Sequence, residues 1–243
     1  MLPQINLRKR SYQKELLDND AIPFEDIRIN MREINTINKW LGGHKITLDG
    51  FNKLLGNKKS IHVCEIGCGD GNNLFVISNW CNKNGVDLKC TGIDIKQECI
   101  DAAKTKYKNL NAEWIANDYQ KIQFKIKPDI IFSSLFCHHF TNEELIEQVK
   151  WMQQNCALGF FVNDLQRNRF AYHSIKIITR TFSSSYLVKN DAPLSVARGF
   201  YKNEWLQIFE QAGLKNFTIK WKWAFRYLII YQHAHPLQSA KAD

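Results

Sequence analysis

The chain has no Cys-x-x-Cys pair, no long basic run, and no apolar stretch near the roughly 18 to 20 residues that a bilayer span requires. The last absence argues against a membrane span. Its seven cysteines, an odd number at positions 64, 68, 81, 90, 99, 137 and 156, follow no signal-like leader and lack the spacing of a disulfide framework. We therefore expect reduced thiols and a cytoplasmic location. Cys64, Cys68 and Cys137 fall near His138 and His139 in the pattern below, but consecutive residues at a strand end cannot all aim at one ion, so no metal is expected. Acidic residues are outnumbered, 24 against 33 basic, for a net charge of +9 and a pI near 9.1. The lysines are scattered, so this surplus reads as solvated surface and disfavours a nucleic-acid partner. A second independent domain is not expected either, because 243 residues suit one domain with a sizeable core.

What the chain does have is the stretch Val63-Cys64-Glu65-Ile66-Gly67-Cys68-Gly69-Asp70-Gly71-Asn72-Asn73-Leu74, an apolar run that breaks into alternating glycines and resumes as a helix. Three glycines in five residues mark a turn whose backbone takes positive φ or admits a close neighbour, so a ligand is expected there. A dinucleotide fingerprint would place its third glycine one position later, where Asn72 stands. Glu65 at the strand end would also repel a pyrophosphate and attract an ammonium group. S-adenosylmethionine has an amino group, a sulfonium and no phosphate. The Glu65-x-Gly67-x-Gly69-x-Gly71 pattern resembles the first motif of class I S-adenosylmethionine-dependent methyltransferases.

From 61 onward short apolar runs alternate with helical stretches, the pattern of a parallel sheet covered on both faces. Strands are expected at 61–66, 88–93, 112–115, 129–133 and 159–163, with helices at 72–82, 97–107 and 143–155. The tail adds a helix over 202–212 and two strands over 217–223 and 225–232, similar to the antiparallel hairpin that completes the seven-stranded methyltransferase sheet. The expected fold is thus α/β: a doubly wound, mostly parallel, Rossmann-like methyltransferase sheet, 61–233. Residues 1–60 read as helices over 11–18, 27–41 and 46–55, taken as a lid of the same domain, and 234–243 as an unstructured tail.

Ligands of such sheets bind beyond the carboxyl ends of the strands. Asp94 follows the second strand, placed to accept from both ribose hydroxyls, and Asn117-Asp118-Tyr119 follows the third, where an acid meets the adenine amino group and a ring covers the purine. Ser134-Leu135-Phe136-Cys137-His138-His139-Phe140 follows the fourth, and its Leu-x-x-His-His form is similar to that of small-molecule enzymes, including quinone C-methyltransferases. The Asn/Asp-Pro-Pro-aromatic motif of amino-methylating nucleic-acid enzymes is missing there. The resemblance implies a cofactor site of Glu65, Gly67, Cys68, Gly69, Gly71, Asn73, Asp94, Ile95, Asp118, Tyr119 and Ser134. His139 is expected as the group that takes the acceptor's proton, with His138 beside it turned to the opposite side.

Residues 164–200 exceed the minimal fold. They are read as an insertion at the site mouth, with an amphipathic helix over 170–182 and Tyr172, Asp191, Ser195 and Arg198 as acceptor contacts. The segments at 15–18, 38–44, 163–165 and 190–195 look like a bacterial subgroup often encoded beside type III polyketide synthases. The expected function is methyl transfer from S-adenosylmethionine to an oxygen or activated carbon of a small, largely apolar acceptor, phenolic, quinone or polyketide-like. An RNA methyltransferase and a non-catalytic cofactor-binding module are the rival readings.

Overall fold

A computed structural model describes residues 6–19 and 22–234. Five strands run parallel: β1 (Ser60–Ile66), β2 (Asp87–Asp94), β3 (Ala112–Ala116), β4 (Ile130–Ser134) and β5 (Gly159–Leu165). The hairpin of β6 (Phe217–Lys222) and β7 (Arg226–Gln232) joins the edge of β5 antiparallel, giving the order β3-β2-β1-β4-β5-β7-β6. Strand order reverses between β1 and β4, which opens a crevice beyond their carboxyl ends.

The strands read as apolar runs because both sheet faces are buried. Alternate side chains go to opposite faces. Val63, Phe132 and Phe161 meet α2 (Gly43–Leu55) and α3 (Asn72–Asn84), with the rings of Phe132 and Phe161 stacked at 4.8 Å. Cys64, Ile131 and Phe160 meet α5 (Asn142–Asn155) and α8 (Lys202–Gln211). The helix α4 (Gln97–Lys106) packs beside β2 and β3. Thr141 starts α5 with a capping box, its hydroxyl accepting from the Glu144 N–H.

The helices ahead of the sheet divide. α2 is a core layer, packed so tightly that a Cβ on Gly50 would lie 2.6 Å from the Phe161 ring. Only α1 (Phe24–Trp40) and the segment before it overhang the crevice, so the expectation that all of 1–60 covers the site is corrected for α2. The helix expected over 11–18 is also absent: a single 3-10 turn, Leu16–Asp18, is found. Its backbone bonds elsewhere, Ser11 N–H to the Ala197 carbonyl and the Leu16 and Leu17 N–H groups to the Asp191 carboxylate.

The insertion forms two helices, α6 (Arg169–Phe182) and α7 (Tyr186–Arg198). α7 went unforeseen because Pro193 lies inside it; nine of its residues are buried, and packing overrides the proline's local cost. Among the described residues no helix is long and apolar enough to cross a membrane. The tail expected over 234–243 lies, from 235 on, outside the described residues.

Candidate active site

The glycine turn takes the strained backbone its composition demands. Gly67, Gly69 and Gly71 have φ of 67°, 52° and 79°, and α3 starts immediately after. A Cβ on Gly67 would stand 2.2 Å from the Phe136 ring, and one on Gly71 would stand 2.3 Å from the Trp114 ring. Gly69 has nothing within 4 Å and opens onto the crevice. Asp94 ties this turn to β2: its Oδ2 accepts from the Gly69 N–H at 2.9 Å and its Oδ1 from the Lys96 N–H at 3.0 Å.

Glu65 lies at the floor, 1% exposed. Asn73 Nδ2 donates to its Oε1 at 2.8 Å, while Oε2 is buried without a partner. Burial pushes this carboxyl well above its ordinary range, so a cation beside it would be strongly favoured. Nearby, Arg226 at the start of β7 is 2% exposed, with Nε and Nη1 unpartnered, and burial lowers its guanidinium to about 10. An unpaired buried guanidinium is costly without an anion.

Glu65 and Arg226 both line one cavity of about 830 Å³, which runs under α1 from the glycine turn to the end of β4 and out to α6. The volume lies toward the upper end of the roughly 300–1,000 Å³ typical of ligand sites. Among the described residues three other than glycine have left-handed backbone, Leu135, Ala224 and Phe225, and all three line this cavity. Such strain concentrates at binding sites.

At the end of β4, Cys137–His139 forms a 3-10 turn. Asp164, at 0% exposure on β5, holds it from below: its Oδ2 accepts the N–H groups of Phe136 and Cys137, and its Oδ1 accepts from His138 Nδ1 at 2.8 Å. Burial alone would push this carboxyl up, but His138 and the Leu165 N–H outweigh burial and hold it low. Two buried arginines hold the turn's carbonyls. Arg10 donates to Phe140 and His138, and Arg198 donates to His138 and His139. His139 Nδ1 bonds Asp18 Oδ1 at 3.0 Å, and this bond helps lower the Asp18 carboxyl to about 2 against the effect of burial. Glu15 faces both imidazoles, and burial raises it to about 7, opposed by His139 and by the Ser195 hydroxyl that donates to it at 2.7 Å.

Most expected site residues converge. Glu65, Gly67, Cys68, Gly69, Asn73, Asp94, Ile95, Asp118, Tyr119, Ser134, His138, His139, Asp191 and Ser195 all line the cavity. Ile95 offers a 75% exposed apolar side chain beside Asp94. Gly71 stays behind the turn against Trp114. Asp118 also caps the short turn after it, accepting from the Gln120 N–H. Tyr119 is packed edge-on against Phe136, Phe140 and Trp151.

Three expectations are corrected. Tyr172 faces a second cleft beside His173 and Lys176, on the far side of α6. Arg198 is consumed by backbone carbonyls and Asp18 and does not reach the cavity. The paired histidines do not diverge: in a 3-10 turn their rings lie 4.4 Å apart at 33°, both against Glu15. Sequence reasoning missed Glu15, Asp164 and Arg226. Glu15 and Asp164 fell in the singled-out segments 15–18 and 163–165 without a role assigned, and Arg226 carried a signal of its own, a cation opening the apolar strand Tyr227-Leu228-Ile229-Ile230-Tyr231.

Residues 63–159, from β1 to the start of β5, match the family described as methyltransferase domain. The chain carries that stretch, with its acid-lined glycine turn and Asp94, inside a sheet with the strand order of the Rossmann-like methyltransferase fold. Its fold is similar to the plantazolicin methyltransferase BpumL in complex with SAH, at TM-score 0.67 and 16% identity over 89% of this chain and 92% of that one. It is also similar to magnesium protoporphyrin IX methyltransferase (ChlM) from Synechocystis PCC 6803, at TM-score 0.51 and 14% identity over 89% and 90%. A Nostoc punctiforme PCC 73102 structure matches at TM-score 0.56 and 14% identity over 79% of this chain, which spans 57% of its length. No curated protein matches at the sequence level.

Proposed function

We propose that this protein transfers the methyl group of S-adenosylmethionine to a small, largely apolar acceptor held between α6 and the histidine turn. The observation that carries the reading is one cavity with two chemically distinct ends. At the β1–β2 end, the free oxygen of Glu65 suits the cofactor's ammonium, and Asp94, Ile95, Asp118 and Tyr119 suit its nucleoside. Arg226, buried and unpaired, suits a carboxylate, which S-adenosylmethionine carries beside that ammonium. The cofactor supplies an electrophilic methyl on a good leaving group. The chain's own task is alignment, with a proton acceptor where the acceptor must be ionised.

At the other end, α6 turns Phe170, Ser174, Ile175 and Ile178 to the cavity, and only Thr179 of that helix is buried. This face supports the insertion as an acceptor wall, and the apolar lining suits a phenolic, quinone or polyketide-like molecule, as in the subgroup encoded beside type III polyketide synthases. The helix α1 then serves as a lid, its Asn35 reaching the glycine turn through Asp70. His138, His139 and Glu15 handle the acceptor's proton. Incubating the protein with extracts and methyl-labelled cofactor, followed by mass spectrometry, tests the reading. Label in a small apolar product is expected; label in RNA alone, or cofactor binding without transfer to any fraction, would overturn it.

A further inference from the structure

Glu15, His138 and His139 meet at one point of the cavity wall, their ligand atoms all within 4.8 Å of one another. His138 Nε2 stands 3.6 Å from Glu15 Oε1, and His139 Nε2 stands 3.8 Å from Oε2 of the same carboxylate. Neither distance is a hydrogen bond. Each imidazole instead spends its other nitrogen on an acid, Nδ1 of His138 on Asp164 and Nδ1 of His139 on Asp18. A neutral imidazole whose Nδ1 proton is held by a carboxylate presents Nε2 as a bare lone pair. The Nε2 atoms of the two rings therefore face the two oxygens of one carboxylate.

That geometry belongs to ligands of a common ion. Donor atoms around a tetrahedral ion bonded at about 2.0–2.1 Å lie about 3.4 Å apart; the two nitrogens stand 3.6 and 3.8 Å from different oxygens of Glu15 and the whole set lies within 4.8 Å, so the three side chains would draw in slightly around an ion. The outer shell is already built. Asp164 and Asp18 fix both tautomers, and the Ser195 hydroxyl holds Glu15 Oε1. Carboxylates behind histidine ligands are the usual orienting partners of a bound metal.

We propose that Glu15, His138 and His139 form a site for a divalent transition-metal cation of zinc-like ligand preference, whose open position holds an oxygen of the acceptor. Two imidazoles and one carboxylate leave one coordination position free, and it faces the cavity. The expectation of no metal weighed the cysteines with His138 and His139 as consecutive strand-end residues; it did not weigh Glu15, and a 3-10 turn brings both rings to one side. Among the described residues this is the one such cluster, and it contains none.

The chemistry deepens the methyltransferase reading and rests on it, favouring oxygen over carbon as the methylated atom. With a cation bound, the three residues would act on the acceptor's proton through it: the acceptor hydroxyl would be acidified and give its proton to water, and its oxygen lone pair would form the new bond to the methyl carbon. The carbon–sulfur bond breaks, and its electrons leave with sulfur as a neutral thioether. The cation stabilises the oxyanion before attack.

The test uses the full chain, stripped by chelator and titrated with Co²⁺ without cofactor or acceptor. One equivalent should bind, with the visible bands of a four- or five-coordinate nitrogen–oxygen site. Glu15→Gln and His139→Ala should each weaken it more than about 100-fold, and Asp18→Asn by about 10- to 100-fold. His139 is the most exposed of the three ligands, so its variant keeps the test valid if Glu15→Gln unfolds. No binding, a cobalt–thiolate band, or equal affinity in both ligand variants would overturn the site. Calorimetry with S-adenosylmethionine on the same preparations separates the two readings. Cofactor binding without Co²⁺ binding removes the metal site alone; Co²⁺ binding without cofactor binding removes the methyltransferase reading alone.

Discussion

Asn73 donates to one oxygen of Glu65 at 2.8 Å and leaves the other buried and unpaired at the end of β1. A carboxylate held half-satisfied in this way is prepared for a donor that arrives with the ligand. Glu65→Gln, together with Asp94→Ala at the ribose position, should each weaken S-adenosylmethionine binding by about 1.5 to 3 kcal/mol, roughly 10- to 150-fold. Isothermal calorimetry on the folded variants is the measurement; unchanged affinity in both would refute the cofactor placement.

Arg226 gives a second prediction that separates the two ends of the cofactor's amino-acid group. Arg226→Gln should lower affinity for S-adenosylmethionine by roughly tenfold or more, the worth of a charged hydrogen bond. Decarboxylated S-adenosylmethionine should bind wild type and variant alike. Equal losses for both ligands would assign Arg226 to packing.

The acceptor wall predicts a kinetic split along one helix. Ile175→Ala and Ile178→Ala should raise the acceptor's KM and leave cofactor affinity alone, because both face the cavity. Tyr172→Ala, on the second cleft, should change neither. Arg198→Ala removes one of the two arginine donors to the His138 carbonyl and the arginine donor to the His139 carbonyl, so it should lower the melting temperature. An Arg198→Ala protein that melts like wild type with only its KM raised would return this residue to the acceptor site.

His62, on β1 away from the crevice, sets a pH dependence. Burial first, with Lys89 adding to it, lowers its imidazole to about 4, and its Nε2 meets the Thr91 hydroxyl at 2.9 Å. Above about 6.5 it is neutral in both folded and unfolded chains and contributes no slope. Between about 6.5 and 4 the unfolded chain takes the proton and the folded chain refuses it, so stability is lost as pH falls through that window. Denaturant melts of wild type and His62→Gln should diverge below pH 6.5, the variant falling less steeply. Parallel curves would show that other groups carry the acid sensitivity.

How much of this was legible in the sequence follows from how local each signal is. Strands β1, β4 and β5 were readable because burial on both faces makes them apolar runs, and the glycine turn because left-handed backbone demands glycine. Asp94 was readable from its place after β2. The region 11–18 was misread as helical because its backbone partners are remote: the Leu16 N–H bonds a carboxylate 175 positions away. Nothing near Glu15 in sequence foretells two imidazoles opposite it. α7 was hidden by Pro193, whose local penalty is plain in sequence while the packing that offsets it is not.

The far-reaching ties of that early segment also order events in time. Domains acquire structure as the chain leaves the ribosome, from the amino end onward. Residues 10–18 emerge before the sheet, yet the groups that seat them, Asp191, Ser195 and Arg198, emerge after five of the seven strands. The glycine turn and Asp94 can therefore be in place on a nascent chain while Glu15 still has nowhere to dock. A chain cut short before α7 would carry the glycine turn and Asp94 but neither the groups that seat Glu15 nor Arg226 on the far wall of the cavity.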